Sequence, residues 1–137
     1  MRQVEAIAAA RKGSHVMLTT ATSSGKSLCF LLPILETLLA LPSATAVLLF
    51  PTKALAHDQM RVLRGMQGSG WLGGLLTAMT VDGDAGPADR DVARERANVI
   101  LTNPDTLHAV LLPQHDKWRR FLTNLRFVIN LYAHFFG

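Results

Sequence analysis

The chain alternates short apolar runs with amphipathic stretches, and its predicted elements follow from that pattern. A short apolar run bounded by turn residues suits a strand buried on both faces, whereas apolar positions three and four apart suit a helix lying on a sheet. On this basis Val4 to Arg11 is a helix, His15 to Thr19 a first strand, and Lys26 to Ala40 a helix opened by a Ser/Gly turn. Ala46 to Phe50 is a strongly apolar second strand, followed by a helix from Ala54 to Met66. Gly65 to Gly74 holds five glycines and reads as a loop. Leu75 to Val81 is a third strand, Ala88 to Ala97 a charged surface helix, and Val99 to Thr102 a fourth strand. Asp105 to Leu111 and Lys117 to Leu122 are helical, and Phe127 to Ile129 is a fifth strand. Such alternation predicts an α/β fold, a parallel sheet covered by helices on both faces.

The turns carry more information than the elements. Thr20 to Ser24, Pro51 to Lys53 and Asn103 to Pro104 each follow the carboxyl end of a predicted strand. In an open parallel sheet, ligands bind at that edge.

Composition narrows the class. Hydrophobic residues make up 49% and charged residues 18% of 137 residues, the balance of one globular domain rather than a disordered chain. Pro33, Glu36 and Pro42 interrupt the apolar stretches, so none reaches the roughly 18 residues of a membrane span. Arg2, Gln3 and Glu5 follow Met1 with no apolar core behind them, which argues against a secretory signal. Cys29 is the only cysteine, which fits a reducing compartment and excludes an internal disulfide or a cysteine-based zinc site. A net charge of +4 suits a polyanionic partner and suits a solvated basic surface equally, because the 14 Lys and Arg are spread along the chain. Only Lys117, Arg119 and Arg120 form a tight basic group. His108, His115 and Asp116 lack the spacing of metal ligands, and Trp71 and Trp118 read as packing residues.

The strongest chemical signal is Ala21-Thr22-Ser23-Ser24-Gly25-Lys26-Ser27, after a strand and opening a helix. Small residues let the backbone curl so that successive N–H groups point at a phosphate, and a helix N-terminus adds partial positive charge. In that arrangement Lys26 reaches the β- and γ-phosphates of ATP, and the Ser27 hydroxyl ligates the Mg²⁺ that accompanies it. The general pattern opens with glycine, and Thr20 stands at that position.

The remaining strand ends resemble the motifs of superfamily 2 helicases. Pro51-Thr52-Lys53-Ala54-Leu55-Ala56 looks like motif Ia, Val81-Asp82-Gly83-Asp84 like motif Ib, and Ile100-Leu101-Thr102-Asn103-Pro104-Asp105 like motif Ic. Gln3 matches the glutamine that reads the adenine edge in many of these enzymes. The whole set, from Gln3 to Ile129, is most similar to the RecQ-like repair helicases of fungi, plants and bacteria, the branch related to human RecQ-type helicase four. His57 stands where that branch has glutamine.

The resemblance implies a RecA-like domain that binds ATP and Mg²⁺ through Gln3, Thr20, Ala21, Thr22, Ser23, Ser24, Gly25, Lys26 and Ser27. It implies a nucleic-acid partner, single-stranded DNA in the first place, met by Pro51, Thr52, Lys53, Gly83, Asp84, Thr102, Asn103, Pro104 and Asp105. It also implies an intracellular place, nuclear in a eukaryote and cytoplasmic in a bacterium. Taken singly, Pro51-Thr52 and Asn103-Pro104-Asp105 equally suit ordinary helix starts, where Pro, Thr and acidic residues are favoured.

One expected feature departs from the family pattern. An Asp-Glu pair should close the fifth strand, the Asp holding Mg²⁺ through water and the Glu orienting the attacking water. Leu131 and Tyr132 stand there, followed by Ala133 and His134, which match. The resemblance also calls for a second RecA-like domain, and residues 1–137 are accounted for by the first alone, as if truncated. The expectation is therefore an ATP- and nucleic-acid-binding helicase domain that is catalytically incompetent by itself. Two other functions compete: a small P-loop kinase, which would need clustered arginines around an acceptor, and a non-catalytic P-loop interaction module.

Overall fold

The computed structural model describes residues 16–17, 23–68 and 74–130, with backbone alone for 16–17 and 23–30. Five strands form one sheet: β1 (Val16–Met17), β2 (Thr45–Leu49), β3 (Ala78–Thr80), β4 (Val99–Thr102) and β5 (Leu125–Asn130). Their spatial order is β1-β5-β2-β4-β3, and every neighbouring pair is parallel. Strand β2 is the middle of the sheet, pairing Val47 with Ile100 of β4 on one side and with Val128 of β5 on the other. All five of its residues are buried, which is why it reads as an unbroken apolar run.

The period-two geometry of these strands sends alternate side chains into two separate cores. Ala46, Leu48, Val99, Leu101, Phe127 and Ile129 face one side. There they meet Leu31, Ile34 and Leu38 of α1 (Ser23–Ala40) and Ala56, Met60 and Leu63 of α2 (Lys53–Gln67). Val47, Leu49 and Ile100 face the other side, against Ala93 of α3 (Pro87–Arg96), Leu111, Trp118 and Phe121. Leu111 ends a π-helical turn, Leu107–Leu111, that continues a single turn of helix, α4 (Pro104–Thr106). Phe121 lies in α5 (Arg119–Thr123) and meets Trp118 edge-on, with ring centroids 6.4 Å apart. Each fully buried Leu or Phe contributes about 1.5–3 kcal/mol, so this doubly covered sheet can hold the loops at its ends in place. The fold is the α/β, RecA-like architecture expected, with helices on both faces.

Local boundaries differ in several places, two of them for a visible reason. Helix α2 runs through Gly65 to Gln67, past the point where glycine content suggested a loop. Met66 packs on the core and the Gln67 side chain accepts a hydrogen bond from Ala78 N at 3.2 Å, so tertiary contacts hold the last turn. Strand β3 is shorter than the Leu75–Val81 expected. Ahead of it the Asn98 side chain takes the partner strand's place, accepting from Thr77 N at 2.8 Å and donating to Leu75 O at 2.6 Å. The expected helix at Val4–Arg11 lies outside the described residues.

Candidate functional site

Because the strands are parallel, their carboxyl ends share one edge, and each candidate motif follows one of them. Gln3, Thr20, Ala21, Thr22, Leu131 and Tyr132 lie outside the described residues. The backbone of Ser23, Ser24, Gly25, Lys26 and Ser27 forms the start of α1, which begins shortly after β1 and has no acidic residue in its first turn. An 18-residue helix opening this way has first-turn N–H groups with no partner inside the helix and the positive end of its dipole there, with no acid in its own first turn to oppose an anion.

The loops after β2 and β4 leave the sheet together, because Phe50 N donates to Thr102 O at 2.9 Å and so prolongs the ladder past β2. Each loop then opens a helix by the same device. Thr52 is extended (φ −135°, ψ 153°) and its Oγ1 accepts from Leu55 N at 3.2 Å. Asn103 is extended (φ −127°, ψ 164°), its Oδ1 accepts from Thr106 N at 2.8 Å, and Pro104 follows at the first helical position. The helix-start reading of these residues is therefore correct as a description of their backbone. It leaves the Thr52 hydroxyl proton and the Asn103 amide protons free to face outward.

Between the two loops lies a cleft of about 250 Å³. Pro51, Thr52, Lys53, Thr102, Asn103 and Asp105 all line it. Thr102 is 4% exposed, yet its Oγ1 has no hydrogen-bond partner. A buried hydroxyl without a partner costs about 1–3 kcal/mol, a cost that Thr102 carries beside the cleft.

The loop after β3 closes the cleft from the side. Val81 N donates to Leu101 O at 3.0 Å, and the chain then turns tightly, with Ala85 N donating to Asp82 O at 3.2 Å. The Asp82 carboxylate accepts from Asp84 N at 2.9 Å, and Arg90 of α3 reaches Asp82 O at 3.4 Å. This turn brings Asp84 against Lys53, and the two form an exposed ion pair. Their hydrogen bond first, and charge second, hold the Asp84 carboxyl below its ordinary range and raise the Lys53 ammonium. Gly83 stands exposed at the tip beside Asp84.

Three residues at this edge were not among the expected site residues. His57 and Asp82 line the cleft, and Arg90 supports the turn. His57 lies one helical turn beyond Lys53, a signal the helix period contains. The Asp-Gly-Asp sequence likewise signals the turn. A second cleft of about 710 Å³ continues past His57, Thr80 and Asp82 to Arg61 and Arg64 of α2.

The other conspicuous basic residues serve the fold. Arg94 lies over the buried Trp118 ring, 5.7 Å from its centroid, and Arg119 pairs with Asp116 at 3.3 Å. Arg120 is turned to the end of α3, donating to Arg94 O at 3.1 Å and Ala97 O at 2.8 Å. Burial lowers its pKa. That use removes it from the arginine cluster a kinase acceptor site would require. Among the described residues, no helix is long and apolar enough to cross a membrane.

The family model described as DEAD/DEAH box helicase matches residues 1–130. The ATP-dependent helicase HRQ1 of Saccharomyces cerevisiae is 41% identical over 98% of this chain and 13% of its own length. The uncharacterized ATP-dependent helicase YprA of Bacillus subtilis is 38% identical over 93% of this chain and 17% of its own. A solved structure of the DUF1998 helicase MrfA bound to DNA and AMPPNP superposes with a TM-score of 0.84 at 37% identity. That match covers 95% of this chain and 18% of the MrfA chain. The chain thus spans less than a fifth of the length of these relatives.

Proposed function

The chain belongs to the DEAD/DEAH box helicase family, and from that premise we propose that it is the first RecA-like motor domain of an ATP-dependent DNA helicase. Its part is to bind ATP at the start of α1 and one strand of nucleic acid at the cleft between the loops after β2 and β4. The observation that carries this reading is the meeting of Lys53, Thr52 and Asn103, from the loops after β2 and β4, on one cleft at the carboxyl edge of the sheet. These groups suit the sugar–phosphate backbone, which takes hydrogen bonds and positive charge without regard to base sequence. MrfA, with which the chain shares fold and 37% identity, was solved with DNA and AMPPNP together, the pair of ligands this reading requires.

The start of α1 suits a nucleotide triphosphate: a long helix, no acid in its first turn, and Gly25-Lys26-Ser27 within it. Lys26 would hold the phosphates and Ser27 the Mg²⁺, with Gln3, Thr20, Ala21, Thr22, Ser23 and Ser24 completing the ATP site. The strand bound is single-stranded DNA, and the setting is DNA repair, as in the RecQ-like branch. Leu131 and Tyr132 at the positions of the Asp-Glu pair leave the 137-residue chain able to bind ATP but poor at hydrolysing it.

Titrating the 137-residue chain with a fluorescent ATP analogue, and separately with a labelled single-stranded oligonucleotide at two salt concentrations, tests the proposal. Saturable binding of both, with the oligonucleotide weakened by salt, is the expected result. A folded chain that binds no nucleotide would favour a non-catalytic interaction module instead, and one that binds nucleotide but no oligonucleotide at low salt would overturn the nucleic-acid half of the reading.

A further inference from the structure

The Asp82–Ala85 turn puts a negative charge where a nucleic-acid surface should have none. Asp84 is not a free side chain that happens to lie near Lys53. Its backbone is set by the Asp82 carboxylate at 2.9 Å, and the turn behind it is held by the bond from Ala85 N and by Arg90. Lys53 is placed from the other side, as the first residue of α2 after the Thr52 cap. The two therefore meet from loops 31 positions apart in sequence, Lys53 lining the cleft between the loops and Asp84 the larger cleft beside it.

We propose that Asp84 is a built-in competitor for Lys53, a carboxylate that occupies the lysine's anion position until the phosphate of a bound strand displaces it. The inference rests on the nucleic-acid reading above, and it revises Asp84 from a residue that binds the strand to one that opposes binding. Phosphate and carboxylate drawn to one ammonium repel each other, so seating the strand favours opening of the pair. Both side chains are largely exposed, at 58% and 74%, so opening is easy. A lone small anion gains only the Lys53 contact and gives back the Asp84 contact, for little net affinity. A strand that also reaches Thr52 and Asn103 has further contacts to offset the loss. The device thus favours polyanions with several phosphates over single anions.

The test is a double-mutant cycle read by fluorescence anisotropy with a labelled oligo-dT strand. Asp84→Asn keeps the turn, because the backbone N–H of residue 84, not its side chain, takes part in it. It is expected to tighten binding by about two- to fivefold at low salt, the range an exposed ion pair supports, and by less at high salt. In a Lys53→Ala background the same change should have no more effect than Asp89→Asn, a control for general charge on the same surface. If Asp84→Asn leaves or weakens affinity while Lys53→Ala still weakens it, the competitor role is wrong and the nucleic-acid reading stands. A gain of equal size with and without Lys53 would also overturn it, as a charge effect. If the unaltered chain does not bind the strand at all, the nucleic-acid reading fails, and the proposal with it.

Discussion

Arg120 donates to the carbonyl oxygen of Ala97 at 2.8 Å, closing the carboxyl end of α3 from a neighbouring helix. The last carbonyls of a helix have no partner within it, and a guanidinium can satisfy several while matching the negative end of the dipole. Arg120→Ala is expected to lower stability by about 1–2 kcal/mol, since hydrogen bonds from charged groups contribute about 1.5–3 and this one is partly exposed to solvent. Urea denaturation would read the change as a lower midpoint with an unaltered slope. A midpoint equal to that of the unaltered chain would mean water serves those carbonyls as well.

The phosphate loop makes a simple prediction. Lys26→Ala should weaken binding of a fluorescent ATP analogue about 10-fold or more, because charge-assisted contacts to phosphate contribute about 1.5–3 kcal/mol. Equal affinities for the two proteins would falsify the assignment of Lys26 to the nucleotide.

Thr102 separates function from stability. Thr102→Val keeps the branched shape in the core and removes a buried hydroxyl that has no partner. Stability should hold or rise by up to about 1 kcal/mol, while affinity for the oligonucleotide falls. Loss of stability, or unchanged affinity, would show that the hydroxyl has a structural use instead.

Lys53→Ala should flatten the dependence of nucleic-acid binding on salt by about 0.7–0.9 in log–log slope, the release expected from one phosphate contact. An unaltered slope would move the phosphate contact to another lysine or arginine.

Turnover is a separate test. The 137-residue chain should release phosphate from ATP at a background rate, with or without single-stranded DNA. Lack of the water-orienting carboxylate alone removes a factor of about 10²–10⁴. Robust release that disappears in Lys26→Ala would place the catalytic carboxylate somewhere other than the Leu131-Tyr132 position.

The Lys53–Asp84 pair also has a measurable acid limit. The Asp84 carboxyl lies below its ordinary 3.8, so the pair's contribution is complete above that value and fades as pH falls through the depressed one. Carboxyl titration by NMR should show the depressed midpoint in the unaltered chain and its return towards 3.8 in Lys53→Ala.

Much of this molecule could be read from residue order alone. The apolar run at Ala46–Phe50 announced the central strand, since only a strand covered on both faces is apolar at every position. Pro51-Thr52 and Asn103-Pro104 announced helix starts, because capping is a contact between residues two or three apart. Contacts of that range lie within one window of sequence, and local stereochemistry suffices to decide them.

Tertiary structure alone decided what lies beside what. Nothing in the pattern says that β5 enters between β1 and β2, or β4 between β2 and β3, because each parallel crossover is free to land at several places in a sheet. The late start of β3 depends on Asn98, and the direction of Arg120 depends on α3, both more than 20 residues away. The same holds for the cleft. The pattern put Lys53 in the turn ahead of a helix and Asp84 between a strand and the next helix. Only the packing of two helical layers on one sheet, which fixes where the loops leave it, set the ammonium against the carboxylate.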